Sequence, residues 1–578
     1  MKAFQRKKVF CYWTILCLVF VSNGSLSNSI ANPNATDSTM SNQIELESHP
    51  WLKALLNKEP TAPQVNMELE GIQHPPPTPV RTPAEFDPCQ GVIIYWENVY
   101  GDEVDRVFLP MVQQIDRENT IYIAVRYEYK LNNIVNLLND EGCSFDNLSF
   151  FIYPCNIFWM RDFAPFFVYD SDDRLVGIDT KYVDFYPLSD SFPDFFCQNY
   201  CFDLYDFDFY YDGGNFMTDG KGLFAASDVI FFQNPDLTPE QADSLMATYF
   251  GCERLIIFEM CSQYIQFGHI DMWAKFLNTN TVLVAQVPYQ HTIEYALLEN
   301  AASIFDTLKT YNGETFNVLR LPLVRMTSIR WYATYTNSLI LDDQVFLPIY
   351  NHSSDSLAIA TYKAALPDHE IIPIDCGDFS SRWAGAIHCL TREIPESIHP
   401  PEVAVHAGPP SGGSIGDVCP STFTIKNPEA RPYTYDVTTI NSAGWMLDPD
   451  AFELTLKACT DTVIEIMCTI PDTAMEGTSI TIMLTATSQS DSLVTGTASL
   501  TLTVCRDKKG DANHDCALDI LDALFVINTI LELQEPEPDE ILRIDCNGPS
   551  GNCDGDGVVN ILDAVKIVNL ILGLDSCP

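Results

Sequence analysis

Four short polar stretches constrain the fold of this chain more than any other feature, because they can form one site only if distant segments meet. The stretches are Trp159–Asp162, Asp212–Asn215, Gly268–Asp271 and Ile387–Cys389. They include two aspartates, a histidine and a cysteine, set in a region of mixed helix and strand patterns. The sequence therefore predicts an α/β domain whose topology gathers the four stretches around one cavity.

The residue types at these positions predict chemistry on a planar cation. The candidate catalytic residues are Cys389, His269, Asp162 and Asp271. Carboxylates can clasp a guanidinium group through charge-assisted hydrogen bonds, and a thiolate beside that group can attack its central carbon. We therefore predict a hydrolase that modifies guanidine groups through a cysteine nucleophile.

Each stretch alone also has an ordinary structural explanation. Taken singly, Asp162 is more often part of an internal ion pair, Asp212–Asn215 a plain turn, and Cys389 half of a disulfide. His269 and Asp271 stand two residues apart at the start of a hairpin predicted over residues 270–287, so we expect both on one face of a strand. The functional interpretation depends on all four stretches occurring together.

Changes in composition along the chain predict several domains. Residues 1–25 have a basic start followed by the apolar run Val9–Val21, which predicts a signal peptide and a secreted protein, extracellular or in a cell-surface complex. Residues 26–81 are rich in Asn, Ser, Thr and Pro, which is typical of a linker. Residues 82–400 have the mixed texture of an α/β domain. Residues 401–505 contain about seven β-rich runs, which is typical of an immunoglobulin-like sandwich.

Apolar periodicity predicts individual elements of the α/β domain. Short apolar runs predict buried strands at Val92–Tyr95, Ile121–Val125 and Val282–Val284. Amphipathic stretches between them predict helices at Leu131–Leu138 and Ile293–Leu308. Periodicity alone does not give the order of the strands in a sheet.

Residues 506–578 contain an internal repeat, in which Ile520–Ala523 recurs as Ile561–Ala564 at an offset of 41 residues. Before each copy, oxygen-bearing side chains occupy positions 1, 3, 5, 9 and 12 of a loop, a spacing that can wrap a calcium ion. Two copies predict a small helical domain with two structural Ca²⁺ ions, and a pair of acidic linkers is the alternative. The candidate ligands are Asp511, Asn513, Asp515, Asp519, Asp522, Asn552, Asp554, Asp556, Asn560 and Asp563.

Charge and cysteine content limit the classes of binding partner and indicate the cellular compartment. The 32 basic and 78 acidic residues give a net charge of −46, so the chain should repel nucleic acid and anionic membranes and attract cationic substrates. No segment after the signal is long and apolar enough to predict a membrane span. Of 19 cysteines, setting aside Cys11, Cys17 and Cys389 leaves sixteen, and the three regions contain eight, four and four of them, each an even number. We expect each region to close its own disulfides in an oxidising compartment.

The order of motifs from Thr82 to Glu396 resembles that of the Porphyromonas-type peptidyl-arginine deiminase and agmatine deiminase family. The resemblance implies the pentein fold, an α/β propeller of five blades with the site at its centre. It implies that Asp162 and Asp271 bind the guanidinium nitrogens, and that catalysis needs no cofactor. It also implies that His269 is general acid and base, and Cys389 the nucleophile. The motifs that carry it are Pro83–Phe86, Trp159–Pro165, Asp212–Gly220, Gly268–Asp271, Tyr335–Ser338 and Ile387–Cys389. The expected substrate-binding residues are Trp159, Arg161, Asp184, Tyr186, Asp212, Gly214 and Asn337.

The resemblance leaves the substrate open between an arginine peptide and a small guanidine. The layout resembles that of secreted members that convert peptidyl-arginine to peptidyl-citrulline and ammonia through a covalent thiouronium on the cysteine. Asp184 and Tyr186 stand where members that grip a C-terminal arginine carry basic residues, and an aspartate would repel that carboxylate. Agmatine, which would give N-carbamoylputrescine, is an alternative. An inactive binding or surface protein anchored to a cohesin is another.

The tail from Lys509 to Asp575 resembles a type I dockerin, a duplicated calcium-binding module that docks into a cohesin domain. It departs from that pattern at Cys516, which replaces a glycine, and at Asn552, which opens the second loop in place of an aspartate. Apolar Ile520–Leu521 and its repeat also occupy positions that often carry small polar recognition residues. The resemblance implies calcium-dependent folding and a cohesin domain as partner.

Overall fold

The structure is a computed structural model, and the chain in it divides into two units. The first unit contains residues 1–198 and 202–399, and the second contains residues 199–201 and 400–578. The residues that the structure describes are 71–99, 101–259, 268–287, 292–325, 332–399, 401–505, 510–512, 518–533, 535, 544–545 and 557–574. The predicted signal peptide, most of the predicted linker and five candidate calcium ligands lie outside the described residues. Those ligands are Asn513, Asp515, Asn552, Asp554 and Asp556.

Short, buried strands dominate the first unit. The apolar runs predicted at residues 92–95, 121–125 and 282–284 are confirmed as strands, and each is buried throughout. The strands are β1 (Cys89–Tyr95), β2 (Thr120–Val125), β3 (Leu148–Ile152), β4 (Phe166–Tyr169), β5 (Leu175–Lys181), β6 (Leu204–Tyr210), β7 (Met217–Thr218), β8 (Leu223–Ser227), β9 (Arg254–Phe258), β10 (Ala274–Asn278), β11 (Thr281–Gln286), β12 (Asn317–Pro322), β13 (Val324–Arg325), β14 (Tyr332–Ala333), β15 (Leu339–Leu341), β16 (Gln344–Ile349), β17 (Glu370–Asp375) and β18 (Thr391–Pro395).

Five sheets in the described part of the first unit repeat one pattern. In each, a first strand pairs antiparallel with a second, and the second pairs parallel with a third. The sheets run β4-β5-β6, β7-β8-β9, β10-β11-β12, β15-β16-β17 and β18-β1-β2-β3, the last with one strand more. Because β18 pairs with β1, the two ends of the unit close in one sheet.

Helices lie between the strands, and the longer ones bury one apolar stripe each. In the predicted helix around residues 131–138, the buried residues Leu131, Ile134, Val135 and Leu138 recur at helical spacing, so one face meets the core. The helices of the first unit are α1 (Asp105–Gln114), α2 (Glu128–Asp140), α3 (Met160–Phe163), α4 (Pro187–Asp190), α5 (Phe192–Asn199), α6 (Val229–Gln233), α7 (Pro239–Phe250), α8 (Ile293–Thr307), α9 (Asp355–Ala365), α10 (Gly377–Trp383) and α11 (Ile387–Leu390). None of the helices among the described residues is long and apolar enough to cross a lipid bilayer.

The segment that follows the predicted linker is fixed to the end of α7. This helix begins with a capping box at Thr238 and ends at Gly251, which has a left-handed φ of 67°. A Cβ added to Gly251 would overlap the carbonyl oxygen of Val80, and the Thr82 hydroxyl donates to the Phe250 carbonyl at 2.6 Å. The close backbone approach therefore holds residues 80–82 in place.

The second unit contains two sheets that share one hydrophobic core. One sheet has the order β19-β21-β25-β23 and the other β20-β27-β26-β22-β24. Phe423 and Ile466 of the first sheet and Tyr435 and Leu502 of the second are fully buried in that core. The strands are β19 (Ala404–Ala407), β20 (Ser411–Gly413), β21 (Val418–Lys426), β22 (Tyr433–Asn441), β23 (Leu447–Asp448), β24 (Ala451–Leu456), β25 (Asp461–Thr469), β26 (Ser479–Ser488) and β27 (Thr495–Val504).

One disulfide corrects the expected cysteine pairing. Cys201, which the division of the chain places in the second unit, is bonded to Cys459. These two cysteines come from the α/β region and the β-rich region of the sequence, so the expectation that each region closes its own disulfides is wrong here. The expectation was based on even numbers of cysteines within sequence regions, whereas a disulfide depends on the distance between two Cα atoms in the folded chain.

The tail contributes two helices, α12 (Ile520–Ile530) and α13 (Ile561–Ile571). Each begins with the same capping box, in which the N-cap residue and the aspartate three positions later exchange hydrogen bonds. These pairs are Asp519 with Asp522 and Asn560 with Asp563, so the repeat seen in the sequence is also a repeat in structure.

We expect Gly251→Ala to lower the free energy of unfolding by about 3 kcal/mol or more, because it adds a backbone overlap to the cost of a left-handed alanine. Gly313→Ala is the matched control, since Gly313 also has a positive φ of 84° but nothing lies within 4 Å of an added Cβ. That control should cost only about 1 kcal/mol. Denaturant unfolding of the full chain checks both variants, and equal losses would contradict the packing of residues 80–82 against Gly251.

Candidate active site

The predicted site residues lie in short turns that precede the first strand of each repeated sheet. Asp162 is in α3 before β4, and Gly213–Asn215 forms a 3₁₀ turn before β7. His269 and Asp271 precede β10, Asn337 precedes β15, and Cys389 is in α11 before β18. The same local position, repeated in five sheets, therefore supplies every residue of the site.

One cluster surrounds His269. Its Nδ1 lies 3.5 Å from Asp162 Oδ1, and its Nε2 lies 3.1 Å from Asp212 Oδ2. The Gly214 N–H donates to Asp162 Oδ1 at 3.1 Å. A Cβ on Gly214 would lie 2.6 Å from His269 Nδ1 and 2.8 Å from Asp162 Oδ1. The absence of a side chain at Gly214 is therefore what lets the histidine and the aspartate meet.

A second cluster surrounds Cys389. Its Sγ lies 3.5 Å from Asp271 Oδ2 and receives a hydrogen bond from Asn337 Nδ2 at 3.1 Å. Asn337 Nδ2 also donates to Asp271 Oδ2 at 3.0 Å. The side-chain oxygen of Asn337 accepts from the backbone N–H groups of Ala386 and Cys389. One buried amide thus fixes the cysteine loop and the carboxylate together.

The electrostatics of the two clusters are coupled. Burial disfavours a charged His269, but Asp162, Asp212 and Asp271 outweigh burial and raise its pKa to about 10. Burial also raises the pKa of the Asp162 carboxyl, an effect that His269 opposes and the nearby aspartates reinforce. The histidine is therefore a proton donor at neutral pH, held against a carboxyl that is reluctant to ionise.

The cysteine is protonated when no cation is present. Burial raises the pKa of the Cys389 thiol well above its usual value, and the negative charges of Asp271 and Asp162 add to the rise. The influence of Asp162 on this thiol shows that the two clusters form one site. A positive group placed between the two aspartates would favour the thiolate.

Trp159 forms a wall of the site. It is 6% exposed, and its six-membered ring would lie 2.7 Å from a Cβ added to Gly385. The same Cβ would lie 3.2 Å from Cys389 Cβ, so Gly385 lies between the indole and the nucleophilic loop. A flat aromatic face near the thiol suits a planar cation.

Three expected substrate-binding residues make their described contacts elsewhere. The Arg161 guanidinium forms an ion pair with Glu393 at 2.6 Å, and its Nε donates to the His388 carbonyl, so it supports the site from behind. Asp184 is exposed and accepts a hydrogen bond from the Tyr210 hydroxyl. Tyr186 is stacked near Tyr182. Asp212, in contrast, lies 3.1 Å from His269 Nε2 and so contacts the site through the histidine.

The expected strand placement of His269 and Asp271 is wrong. The hairpin itself is confirmed as β10 and β11, but Asp271 lies in the 3₁₀ turn Ile270–Met272 and His269 just before it. A 3₁₀ turn directs residues two apart to different sides. His269 therefore joins Asp162, and Asp271 joins Cys389.

His388 and Glu85 contact the site, but no role was assigned to them from the sequence. His388 Nδ1 lies 2.8 Å from Asp271 Oδ2, and His388 Nε2 lies 3.2 Å from Glu85 Oε2. Both belong to quoted motifs, Ile387–Cys389 and Pro83–Phe86. The sequence signal for such a role was the histidine next to Cys389. The carboxylates that contact it come from distant segments, so they could not be identified from the sequence.

A match to a known protein family identifies the domain that contains this site. The profile of the Porphyromonas-type peptidyl-arginine deiminase family matches residues 81–395. The chain belongs to this family. As a member of the Porphyromonas-type family, it is an enzyme of the deiminase type, a hydrolase that acts on guanidino C–N bonds.

Similar proteins support the same assignment for the first unit of this family member. A protein of Selenomonas ruminantium named "Putative agmatine deiminase" is 23% identical over 356 residues, which cover 54% of this chain and 95% of that protein. A protein of Vibrio parahaemolyticus with the same name is 24% identical over 363 residues, covering 54% and 96%. The solved agmatine deiminase of Enterococcus faecalis is 20% identical with a TM-score of 0.52, and the match covers 57% of this chain and 100% of that one. The structural match shows the pentein fold of the N-terminal part.

We expect the stability difference between wild type and His269→Gln to shrink as the pH rises. The pKa of about 10 in the folded chain lies above the value of about 6.5 expected in the unfolded chain. The contribution of this proton to stability is therefore complete below the unfolded pKa and is lost as the pH rises through the folded pKa. Urea unfolding of both proteins near the two ends of that window tests this, since titrations away from the site cancel in the difference. The same difference at both pH values would show that His269 is not charged in the fold.

Proposed function

We propose that the first unit hydrolyses a guanidinium group, with Cys389 as nucleophile and Asp162 and Asp271 as the residues that hold the cation. The observation that carries this proposal is the environment of Asp271. One of its oxygens, Oδ2, is 3.5 Å from Cys389 Sγ, while Oδ1 is buried with no hydrogen-bond partner among the described residues. A buried carboxylate oxygen without a donor is costly, and a bound guanidinium N–H beside the thiol would satisfy it.

In the first half of the proposed reaction, the cation activates its own attacker. The guanidinium between Asp162 and Asp271 lowers the energy of the Cys389 thiolate, and the thiol proton is released. Sγ bonds to the guanidinium carbon, and His269 gives its proton to the departing nitrogen as the C–N bond breaks. Ammonia leaves, and a thiouronium remains on Cys389.

In the second half, water replaces the sulfur. His269 is now neutral and accepts a proton from the attacking water, whose oxygen bonds to the same carbon. The C–S bond breaks, and the ureido product leaves with the Cys389 thiol regenerated. Asp212 bonds the histidine Nε2 at 3.1 Å and would keep the ring oriented through both halves.

We infer that the five repeated sheets form the five-bladed propeller expected from the resemblance. Two features support this arrangement: all site residues precede the first strand of a sheet, and β18 closes onto β1. A ring of blades would bring these five turns to one end of a common axis. The site then lies at the centre of the unit.

The proposed substrate is an internal arginine of a peptide or protein. Its support is the resemblance, in which Asp184 stands where a basic residue would grip a C-terminal carboxylate and an aspartate would repel it, together with the predicted signal peptide. Agmatine is the second candidate, because the named relatives that match at 23% and 24% identity carry the name agmatine deiminase. Asp184 could also attract the ammonium end of that molecule.

A panel of guanidines tests this function. We expect ammonia and a ureido product from a peptide with an internal arginine, and less from agmatine, free arginine or a peptide ending in arginine. Cys389→Ala should abolish the reaction, whereas Cys376→Ala is the matched control, since Cys376 is also a buried thiol of this unit but makes no described contact with the site. Equal background rates for wild type and Cys389→Ala on every substrate would contradict the proposal. Preference for agmatine would keep the chemistry and change the substrate.

For the second unit, we propose an immunoglobulin-like sandwich followed by a dockerin-like module in a secreted protein. The two sheets with a shared core support the sandwich. The duplicated capping boxes and the repeat support the module. Each copy also exposes an apolar patch at equivalent positions of its helix, which suits docking into a cohesin domain. The patches are Ile520, Leu521 and Leu524 at 65%, 51% and 49% exposed, and Ile561, Leu562 and Val565 at 57%, 55% and 49% exposed.

The described part of the tail fits calcium binding. Asp522 and Asp563, the last residues of the two proposed loops, are completely buried, and buried carboxylates need a cation or several hydrogen bonds. The donor set is all oxygen, which is what Ca²⁺ requires. Asp511, Asp519 and Asp522 would contribute to the site of one ion and Asn560 and Asp563 to the other, and each site would be completed by candidates outside the described residues. The described residues alone contain no group of three acidic, His or Cys side chains placed to hold a metal.

We expect calcium chelation to unfold the residues after Lys509 and to leave deimination within about twofold of its starting rate, because the two units have separate cores. Circular dichroism, limited proteolysis and an ammonia assay on the same full-length sample measure both effects. Asp522→Ala should mimic chelation for the first loop. A helical signal that ignores chelator, or a loss of activity in parallel with it, would contradict the proposed role of the tail.

A further inference from the structure

A chain of buried charged residues lies behind Asp271 and takes no part in the proposed chemistry. Asp271 Oδ2 is 2.8 Å from His388 Nδ1, His388 Nε2 is 3.2 Å from Glu85 Oε2, and the same Glu85 oxygen is 2.6 Å from Lys275 Nζ. The Asp271, His388 and Lys275 side chains are 4%, 5% and 4% exposed, and that of Glu85 is 16% exposed. The groups along the chain run from carboxylate to imidazole to carboxylate to ammonium.

Burying this chain costs free energy that packing alone does not explain. Taking charges out of water costs several kcal/mol for each ion, and apolar residues of similar volume are often equally stable. Glu85 is also satisfied at its other oxygen, which accepts from the Ile340 N–H at 2.8 Å. Both oxygens of Glu85 therefore have donors, which indicates that the fold fixes the position of this carboxylate.

The backbone of His388 is fixed from two sides. Its N–H donates to the Asn337 carbonyl at 3.1 Å, and its carbonyl accepts from Arg161 Nε at 3.1 Å. Carboxylate oxygens also lie against both ring nitrogens, Asp271 Oδ2 at Nδ1 and Glu85 Oε2 at Nε2. The ring therefore cannot turn away from Asp271 without losing contacts at Glu85 as well.

These contacts decide which oxygen of Asp271 faces the reacting group. Oδ2 is occupied by His388 Nδ1 and Asn337 Nδ2, whereas Oδ1 has no partner among the described residues. We propose that His388, braced by Glu85 and Lys275, is a positioning residue that locks the Asp271 carboxylate with Oδ1 presented to the substrate cation. This inference rests on the proposed function, and it gives a role to the N-terminal motif Pro83–Phe86.

Of the four residues in this chain, only Asp271 has a described contact with the Cys389 thiol. Glu85, Lys275, His388 and Asp271 line one cavity together with apolar side chains. Cys389 is not among the residues that line it. His388 therefore acts through Asp271, and a substrate on the thiol side would not touch it.

Two substitutions separate the two ring nitrogens of His388. In His388→Gln, the longer amide can reach Glu85 but loses the hydrogen bond to Asp271, and we expect kcat/KM to fall about 100-fold because misplacing a catalytic group by about 1 Å costs that much. In His388→Asn, the shorter amide keeps a donor for Asp271 and loses Glu85, so the fall should be less than about tenfold. Glu299→Gln is the control, since it breaks the remote ion pair between Glu299 and Arg320 and should leave kcat/KM unchanged.

The decisive readout is the ratio of two alkylation rates at Cys389. Chloroacetamidine carries an amidinium that would occupy the site of the guanidinium, and chloroacetamide is its neutral counterpart of the same shape. Because both reagents react with the same sulfur, protein in which Cys389 is unreactive lowers both rates equally and cancels from their ratio. Circular dichroism checks that each variant is folded, since an unfolded chain would show no preference. We expect a strong preference for the amidinium in wild type, its retention in His388→Asn, and a loss of about tenfold or more in His388→Gln.

The outcomes distinguish this proposal from the proposed function. A wild-type ratio in His388→Gln, or equal losses in the Gln and Asn variants, would overturn the positioning role while leaving deimination intact. A wild type that shows no preference for the amidinium and no deimination would overturn the proposed function itself. Retained preference in His388→Asn with its loss in His388→Gln would support positioning through the Nδ1 contact.

Discussion

The contacts of a single oxygen atom, Oδ2 of Asp271, connect the parts of this active site. Asn337 and His388 donate to this atom at 3.0 and 2.8 Å, and the Cys389 thiol lies 3.5 Å away. These residues belong to turns before three different sheets, so the geometry exists only when the sheets have assembled. A shift in any of the three turns would move the carboxylate relative to the sulfur.

The charges of the site are arranged so that the empty and occupied states differ in protonation. Burial and two aspartates keep the Cys389 thiol protonated by raising its pKa, and the same aspartates help to raise the pKa of His269 to about 10. In the proposed mechanism, a cation between the carboxylates relieves the effect on the thiol and still leaves a protonated histidine beside the leaving nitrogen. Reactivity is thus coupled to the presence of a positively charged substrate, which protects a buried nucleophile from other reagents.

Sequence patterns predicted the elements of the fold better than they predicted the contacts between distant residues. Apolar runs gave the strands at residues 92–95 and 121–125, because a strand buried on both faces has a local signature. The same-face argument for His269 and Asp271 failed, because a 3₁₀ turn replaced the expected strand. The partners of His388 could not be predicted, since Glu85 comes from a segment about three hundred residues away and nothing local encodes that distance. Disulfide pairing failed for the same reason.

In the proposed mechanism, Cys389 becomes covalently bonded to the guanidinium carbon. Acid quenching of full-length enzyme during turnover, followed by mass spectrometry of the Cys389 peptide, tests this claim most directly. A peptide with an internal arginine and agmatine are the two substrates to compare. The proposed mechanism predicts a substrate adduct on Cys389 that appears during turnover and disappears as the product accumulates. Cys376 should carry no adduct. Steady production of a ureido product with Cys389 unmodified throughout, or an undiminished rate in Cys389→Ala, would contradict it.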